Sequence, residues 1–293
     1  MAYAFAPGEK NITKALRRIA RQRVDASLAL FDDAELGEDK RIHELRKNIK
    51  KLRGLIRLVR PVFADYEAEN RALGDAGRAL SHLRDADVRA AGLVALARRA
   101  RLRAEDRDAL IAAAGGTATP PGLQERETAL LAHFDMLRQL RHRIEDWKVK
   151  GKGFDALEPG LVRVLDRGAK AMKAACNDPE GEAVHTWRKR VKDHWYHARL
   201  LTPIWPAMMK PHSDIAGDLG EMLGDARDLT LLAELLDPLA AEGLAGAENL
   251  AARARREETE LMDRAHATGR LFHAEAPGAL AQRWRDWWER AAS

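Results

Sequence analysis

An internal repeat of one basic segment constrains the fold of this chain more than any other feature of its sequence. His43 and His185 lie 142 positions apart. Counted from each histidine, both copies have Arg at +3, Lys at +4, Lys at +7, Arg at +14 and Pro at +18. Six identities in one register, ending at a proline that stops a helix, are hard to obtain by chance. The chain is therefore predicted to be a tandem duplication.

A second set of matching residues lies after each basic segment, at an offset of 143. The matched pairs are Gly74 with Gly217, Gly77 with Gly220, Arg84 with Arg227, and Asp85 with Asp228. Between the copies, the stretch 149–160 has the glycines and the polarity of an interdomain linker. We therefore place the first half at residues 1–150 and the second half at residues 151–293, as two parts of one domain.

Composition and periodicity both favour an all-α fold. The chain holds only three Tyr and six Phe, and its hydrophobic content of 46% is sufficient for a core. Gly and Pro divide an almost continuous helical pattern into eleven amphipathic stretches. One helix is predicted over 86–113, and two separate helices are predicted over 212–223 and 228–242. Each half is thus expected to be a bundle of about four main helices.

Positive charge is concentrated in the two basic segments. The whole chain has a net charge of +5, but residues 41–60 carry +7 and residues 184–199 carry +4, so the rest of the chain sums to −6. This distribution indicates a specific anionic partner. The single cysteine cannot form a disulfide within the chain, and no apolar run is long enough to span a bilayer. We expect a cytoplasmic protein that is neither secreted nor inserted into a membrane.

Both basic segments place their cations on one face of a helix. At about 100° per residue, the cations of the first segment share an arc of about 120°, and apolar residues occupy the opposite side. The first face consists of His43, Arg46, Lys47, Lys50, Arg53 and Arg57. The second face consists of His185, Arg188, Lys189, Lys192 and Arg199, joined by Trp195 and Tyr196. Packing the apolar side inward would turn each basic face outward along its helix.

A run of charge on a helix is ordinarily a solvated face. Such faces usually mix both signs, however, because like charges one turn apart destabilise a helix. A like-charged face that occurs twice is more easily explained by an anion that neutralises it. Arg supplies forked donors for phosphate oxygens and Lys supplies mobile point charges, so the mixture suits a flexible chain of phosphates.

The two segments resemble the CHAD family, whose name abbreviates conserved histidine α-helical domain. The resemblance rests on IHELRKNIKKLRGLIRLVRPVF and VHTWRKRVKDHWYHARLLTPIW, followed by LSHLRDADV and LGDARDLT. It implies two four-helix bundles related by a pseudo-twofold axis, with histidines and basic side chains lining a central cleft or pore that accepts inorganic polyphosphate. The first half departs from the LGxxRD pattern, because Ser81 and His82 stand where Gly224 and Asp225 stand in the second half. No ExExK signature of a fused phosphohydrolase domain occurs, as expected of a stand-alone member.

The predicted ligands of polyphosphate are the residues that repeat between the two faces. They are His43, Arg46, Lys47, Lys50, Arg57, His185, Arg188, Lys189, Lys192 and Arg199. Further arginines are candidates for secondary contacts, with a solvated face or a helix start as their ordinary interpretation. These candidates are Arg17, Arg21, Arg53, Arg84, Arg163, Arg167 and Arg227.

The sequence shows neither a catalytic constellation nor a metal site. Arg and Lys occupy the positions one turn after His43 and His185, where a metal ligand would stand, and His194 and His197 are interpreted as structural. We therefore expect a binding protein without catalytic residues, cofactor or metal. A nucleic-acid-binding protein and a metal-dependent phosphohydrolase are the alternatives, although aromatic residues for base stacking are sparse on the basic faces. The sequence leaves open the oligomeric state and any association with polyphosphate granules.

Overall fold

The fold is described by a computed structural model that covers residues 3–83, 85–115, 122–177 and 182–291. Within these residues the chain forms eleven α-helices and no strand, which confirms the all-α prediction. The helices are α1 (Ile12–Asp32), α2 (Glu38–Leu58), α3 (Tyr66–His82), α4 (Asp85–Arg99), α5 (Ala104–Gly115), α6 (Leu123–Arg143), α7 (Glu158–Asn177), α8 (Glu182–Leu201), α9 (Pro206–Ala241), α10 (Ala247–Phe272) and α11 (Pro277–Arg290). The two basic segments form α2 and α8.

Capping and charge explain where α1 and α2 begin. The side chain of Asn11 accepts a hydrogen bond from the Lys14 N–H at 2.9 Å, which satisfies one of the free donors in the first turn of α1. Glu38 and Asp39 place negative charge at the positive end of α2, and Arg57 lies in its last turn. The basic helix α2 is therefore stabilised at both ends by its own sequence.

The prediction of one helix over 86–113 is wrong, because the chain forms two helices there. Between α4 and α5, Arg101 adopts a left-handed conformation with a φ of 55°. The N–H of Leu102 donates to the carbonyl of Ala97 at 3.1 Å, and the N–H of Arg101 donates to the carbonyl of Arg98 at 3.0 Å. These are the two hydrogen bonds of a Schellman motif, a helix end that glycine usually makes.

The prediction of two helices over 212–223 and 228–242 is also wrong, because both stretches belong to α9, a helix of 36 residues. Buried Leu223, Ala226 and Leu229 continue the helical spacing through the predicted break. At 1.5 Å per residue, α9 extends for roughly 54 Å. Neither α9 nor any other helix in the described ranges combines the length and the apolar character needed to cross a membrane.

The described helices pack around three apolar cores, two of which combine residues of both predicted halves. The largest core joins α1, α2, α3 and α6 to α7, α11 and the end of α8. A second core joins α4 and α5 to α9 and α10, and a third lies between α7, α8, α9 and α10. Trp284 and Trp288 are buried in the largest core. The boundary between residues 150 and 151 stays a prediction, and so does the relation of the two halves in space.

Three buried histidines have strongly lowered pKa values. Burial lowers the pKa of His133 and of His197 to about 4, and it lowers the pKa of His194 well below its ordinary value. The Nε2 atom of His194 lies 2.7 Å from the Nε2 atom of His212, so one ring donates a hydrogen bond to the other. His194 and His197 are both buried, which agrees with their interpretation as structural residues.

Acid should destabilise the fold through these histidines. An unfolded histidine binds a proton near pH 6.5, whereas folded His133 has a pKa of about 4. The unfolded state therefore binds more protons between these two values, and the free energy of unfolding falls as the pH drops from one to the other. His133 also has no hydrogen-bond partner for either ring nitrogen among the described residues, so His133→Leu should stabilise the protein.

The gain in unfolding free energy from His133→Leu should be larger at about pH 5 than at about pH 7.5, by roughly 1–2 kcal/mol. Urea unfolding at both pH values measures it. His142→Leu, on the exposed side of the same helix, is the matched control and should give no such pH-dependent gain. An equal gain at both pH values would show that His133 binds a proton as readily in the folded state as in the unfolded state.

Candidate anion-binding site

The two basic helices, α2 and α8, contact each other directly. Gly54 of α2 lies so close to Tyr196 of α8 that a Cβ atom at position 54 would be 2.6 Å from the Cβ of Tyr196. A larger residue would have to push the tyrosine away. Gly54 therefore sets how closely the two basic helices approach each other.

A buried carboxylate links the same two helices. Asp193 of α8 pairs with the guanidinium group of Arg57 on α2, and its Oδ2 atom lies 3.1 Å from Nη1 of Arg190. Only 3% of the Asp193 side chain is exposed. Burial alone would lower the pKa of Arg57. The interactions of its guanidinium group with Asp193, and then with Tyr66, are together larger, so the pKa of Arg57 is raised. Arg57, which we expected to bind phosphate, thus has an internal partner.

Cations of both basic helices lie close together around Lys50. We call this group the α2–α8 cluster, and it consists of Arg46, Lys50, Arg188 and Lys192. Burial, and then the charges of Arg46, Arg188 and Lys192, lower the pKa of Lys50 to about 8. Burial also lowers the pKa of Lys192, with Glu221 acting in the opposite direction. The fold therefore brings together cations from two sequence segments that are 142 positions apart.

Glycines of α9 make room for the α8 side of this cluster. A Cβ atom at Gly220 would lie 2.4 Å from the Cδ of Lys192, and one at Gly224 would lie 2.9 Å from the Nε of Arg188. Gly220 is also one of the residues that match between the two halves of the sequence. A larger residue there would displace the side chain of Lys192, which crosses the surface of α9.

The indole ring of Trp195 supports two of the cations. Lys192 Nζ lies 4.3 Å and Arg199 Cζ lies 4.7 Å from the ring centroid, which is within the range of cation–π attraction. Tyr196, which the helical spacing placed on the same face, is instead buried against Gly54. Trp195 is therefore the aromatic residue that takes part in the basic surface of α8.

A second group of cations, missed by the sequence analysis, surrounds Lys51. We call it the Lys51 cluster, and it consists of Arg23, Lys47, Lys51 and Arg199. Burial, and then the charges of Arg23, Lys47 and Arg199, lower the pKa of Lys51 to about 8, with Glu44 acting in the opposite direction. The sequence does indicate that Lys51 could join the basic face, because it follows Lys47 by four residues and so lies beside it at the edge of that face.

Several residues of the two predicted faces are exposed to solvent, as Lys50 itself is. His43, Lys47 and Lys189 are exposed, and His185 is half-buried. Burial, and then the charges of Lys189 and Arg188, lower the pKa of His185. These side chains extend the basic surface of α2 and α8 beyond the α2–α8 cluster toward the start of each helix.

Two arginines of α1 that were candidates for secondary contacts have partners inside the protein. Arg17 Nε donates a hydrogen bond to the carbonyl of Trp147 at 2.8 Å. Arg21 pairs with Glu145 at 2.7 Å. Both contacts join α1 to the segment that follows α6.

The remaining secondary candidates lie in different places. Arg53 is half-buried and hydrogen-bonded to α3. Arg163 and Arg167 are exposed on α7, and Arg227 lines a pocket beside α8. Arg84 lies outside the described residues.

The pocket beside Arg227 has a volume of about 810 Å³ and lies between α8, α9 and α10. His185 and Lys189 line it together with Arg255. Its acidic lining residues are Glu182, Glu234 and Glu258. The pocket adjoins the first turns of α8, but its mixed charge distinguishes it from the α2–α8 cluster.

The chemistry of these surfaces is that of oxyanion binding. Guanidinium and ammonium groups form charge-assisted hydrogen bonds with phosphate or carboxylate oxygens. Among the described residues, no group of three or more His, Cys, Asp or Glu side chains is arranged to hold a metal ion. The arrangement therefore offers positive charge and hydrogen-bond donors to a ligand.

Comparison with known proteins identifies the family. The CHAD domain matches residues 12–216, a range that includes both basic helices and all members of the α2–α8 and Lys51 clusters. None of the curated proteins compared with the chain matches it. The match confirms the resemblance seen in the sequence, and since it covers more than half of the 293 residues, the chain belongs to the CHAD domain family.

Proposed function

We propose that this protein binds inorganic polyphosphate on the basic surfaces of α2 and α8 and does not catalyse a reaction. The CHAD domain is linked to polyphosphate binding in general. The observation that carries the proposal is the α2–α8 cluster, in which cations from two separate segments crowd around Lys50. An anion with many charges is the ligand that best relieves such crowding.

The electrostatics of the free protein support this proposal. The lowered pKa of Lys50 means that its ammonium group is less stable in the cluster than in water. A polyphosphate chain carries negative charge along its whole length and offers oxygens to which Arg can donate two hydrogen bonds. Binding would replace repulsion between cations by attraction to phosphate, and it would release counterions from the chain.

The proposed ligands differ from the predicted ones where a cation is held inside the protein. Arg57 is proposed to be structural, because Asp193 binds its guanidinium group. Arg17 and Arg21 are assigned to the fold for the same reason. The proposed ligands are His43, Arg46, Lys47, Lys50, His185, Arg188, Lys189, Lys192 and Arg199. The remaining candidates for secondary contacts are Arg53, Arg163, Arg167 and Arg227.

The two basic surfaces are proposed to line one cleft between the halves of a duplicated chain. Two contacts support this arrangement, the close approach at Gly54 and the ion pair of Asp193, because both hold α2 beside α8. One long ligand could then contact both helices at once, which raises its affinity through a high effective concentration. Association with polyphosphate granules would follow from such binding.

Nucleic acid is a less suitable ligand for this surface. Proteins that bind single strands stack bases on accessible aromatic rings. Tyr196 is buried, and Lys192 and Arg199 already lie over the ring of Trp195. Competition between polyphosphate and an oligonucleotide at equal phosphate concentration distinguishes the two ligands. Release of phosphate in the presence of divalent metals tests the phosphohydrolase alternative.

Lysines from both helices should contribute to binding. Lys50→Gln and Lys192→Gln should each weaken the binding of a long polyphosphate about tenfold at low salt, because a charge-assisted contact is worth roughly 1–2 kcal/mol. Isothermal titration with chains of defined length measures the loss. The matched control combines Lys170→Gln and Lys173→Gln, two exposed lysines of α7. A loss confined to one basic helix, or an equal loss in the control, would contradict a shared site.

Polyphosphate affinity should fall as the pH rises from about 7 to about 9. In the free protein the pKa of Lys50 is about 8, whereas a bound polyanion stabilises the ammonium group and raises the pKa. Binding at about pH 8 should therefore take up protons, which titration in buffers of different ionisation enthalpy detects. Lys50→Arg stays charged throughout and should reduce this uptake. Uptake that is unchanged in Lys50→Arg would show that Lys50 does not meet the ligand.

A further inference from the structure

Lys51 is a buried cation that forms no salt bridge with any described residue. Only 9% of the residue is exposed. Glu44 raises the pKa of Lys51, but it forms its salt bridge with Lys47, at 3.1 Å. Burial of most of the Lys51 side chain lowers its pKa, so a bound anion would stabilise its charged form.

The surroundings of Lys51 add positive charge. The positive charges of Arg23 in α1, Arg199 in α8 and Lys47 in α2 each lower the pKa of Lys51. The buried Nε of Arg23 has no hydrogen-bond partner within the described ranges. Tyr3 lies beside Lys51, and its hydroxyl donates a hydrogen bond to the backbone carbonyl of Lys51 at 2.7 Å. Cations from α1, α2 and α8 therefore lie near enough to Lys51 to lower its pKa, and Arg23 has a buried donor that is free for a ligand.

The second basic segment has an acid at the corresponding position. Lys51 and Asp193 each stand eight residues after the histidine of their segment, and Arg57 and Arg199 each stand fourteen residues after it. The Asp193 carboxylate binds Arg57 and Arg190. Lys51, by contrast, lies near Arg199, and both are cations. On one side of the repeat, the carboxylate of Asp193 is the oxyanion that Arg57 binds. On the other side, Lys51 replaces the acid, so Arg199 and Lys51 offer donors without a carboxylate between them.

We propose that the Lys51 cluster is a subsite for the terminal phosphate group of a polyphosphate chain. This inference deepens the proposed function and rests on it. A terminal group has one more ionisable oxygen than an internal group, so it carries more negative charge and suits several converging cations. The burial of Lys51 also favours the end of the chain, because an internal phosphate would bring linked phosphates in on both sides. The more open α2–α8 cluster binds internal phosphates.

A comparison of linear triphosphate with cyclic trimetaphosphate distinguishes recognition of a chain end from general electrostatic attraction, because the cyclic ligand has no terminal phosphate group. Isothermal titration at low salt gives the ratio of their affinities, and wild-type protein should prefer the linear form. Lys51→Met should lower this ratio about fivefold or more, the effect of losing one charge-assisted contact. Lys50→Met, the neighbouring lysine on the same helix, should weaken both ligands and leave the ratio unchanged.

Two further variants keep the test decisive. Lys51→Arg retains the charge and should retain the preference for the linear form. Arg23→Met removes a cation of the same cluster from α1 and should lower the ratio as Lys51→Met does, and circular dichroism confirms that each variant is folded. An unchanged ratio in Lys51→Met and Arg23→Met, with binding still weakened by Lys50→Met, would overturn the end subsite alone. Wild-type protein that binds neither short phosphate would also overturn the end subsite, whereas wild-type protein that does not bind long polyphosphate would overturn the proposed function.

Discussion

The buried ion pair between Asp193 and Arg57 is the interaction on which the proposed site depends. It joins α2 to α8 where the Asp193 side chain is almost closed to solvent. Removing one partner of such a pair destabilises a protein by roughly 3–5 kcal/mol, so the helices cannot separate here without a large penalty. Gly54 admits Tyr196 at the same contact. The relative position of the two basic surfaces is therefore fixed before any ligand binds.

A fixed arrangement explains how the chain holds many cations in a small region. Lys50 and Lys51 both have a pKa of about 8, mainly because burial disfavours their charged forms. The apolar sides of α2 and α8 are buried in the cores, and this burial offsets the repulsion on their basic sides. A polyanion would then meet donors that are already in place, so little side-chain freedom would be lost on binding.

Local periodicity predicted most helices, because the spacing of apolar and basic residues repeats along a helix. It also placed Tyr196 on the basic face of α8, where the structure buries it instead. It failed after α4, where Arg101 ends the helix in a conformation that glycine usually signals. The roles of Arg57 and Lys51 could not be predicted, because each depends on the neighbouring helix. Within the repeat Arg57 is equivalent to Arg199, and only Asp193, across the helix contact, distinguishes them.

Lysine footprinting tests most directly whether α2 and α8 form one binding site. The protein is acetylated with and without long polyphosphate, and the rate at each lysine is read by mass spectrometry. Polyphosphate should slow the reaction on both helices, and the protected residues should be Lys47, Lys50, Lys189 and Lys192. The internal controls, which are exposed elsewhere and should react at unchanged rates, are Lys170, Lys173 and Lys210. Protection limited to one of the two helices, or equal protection of every lysine, would contradict the account.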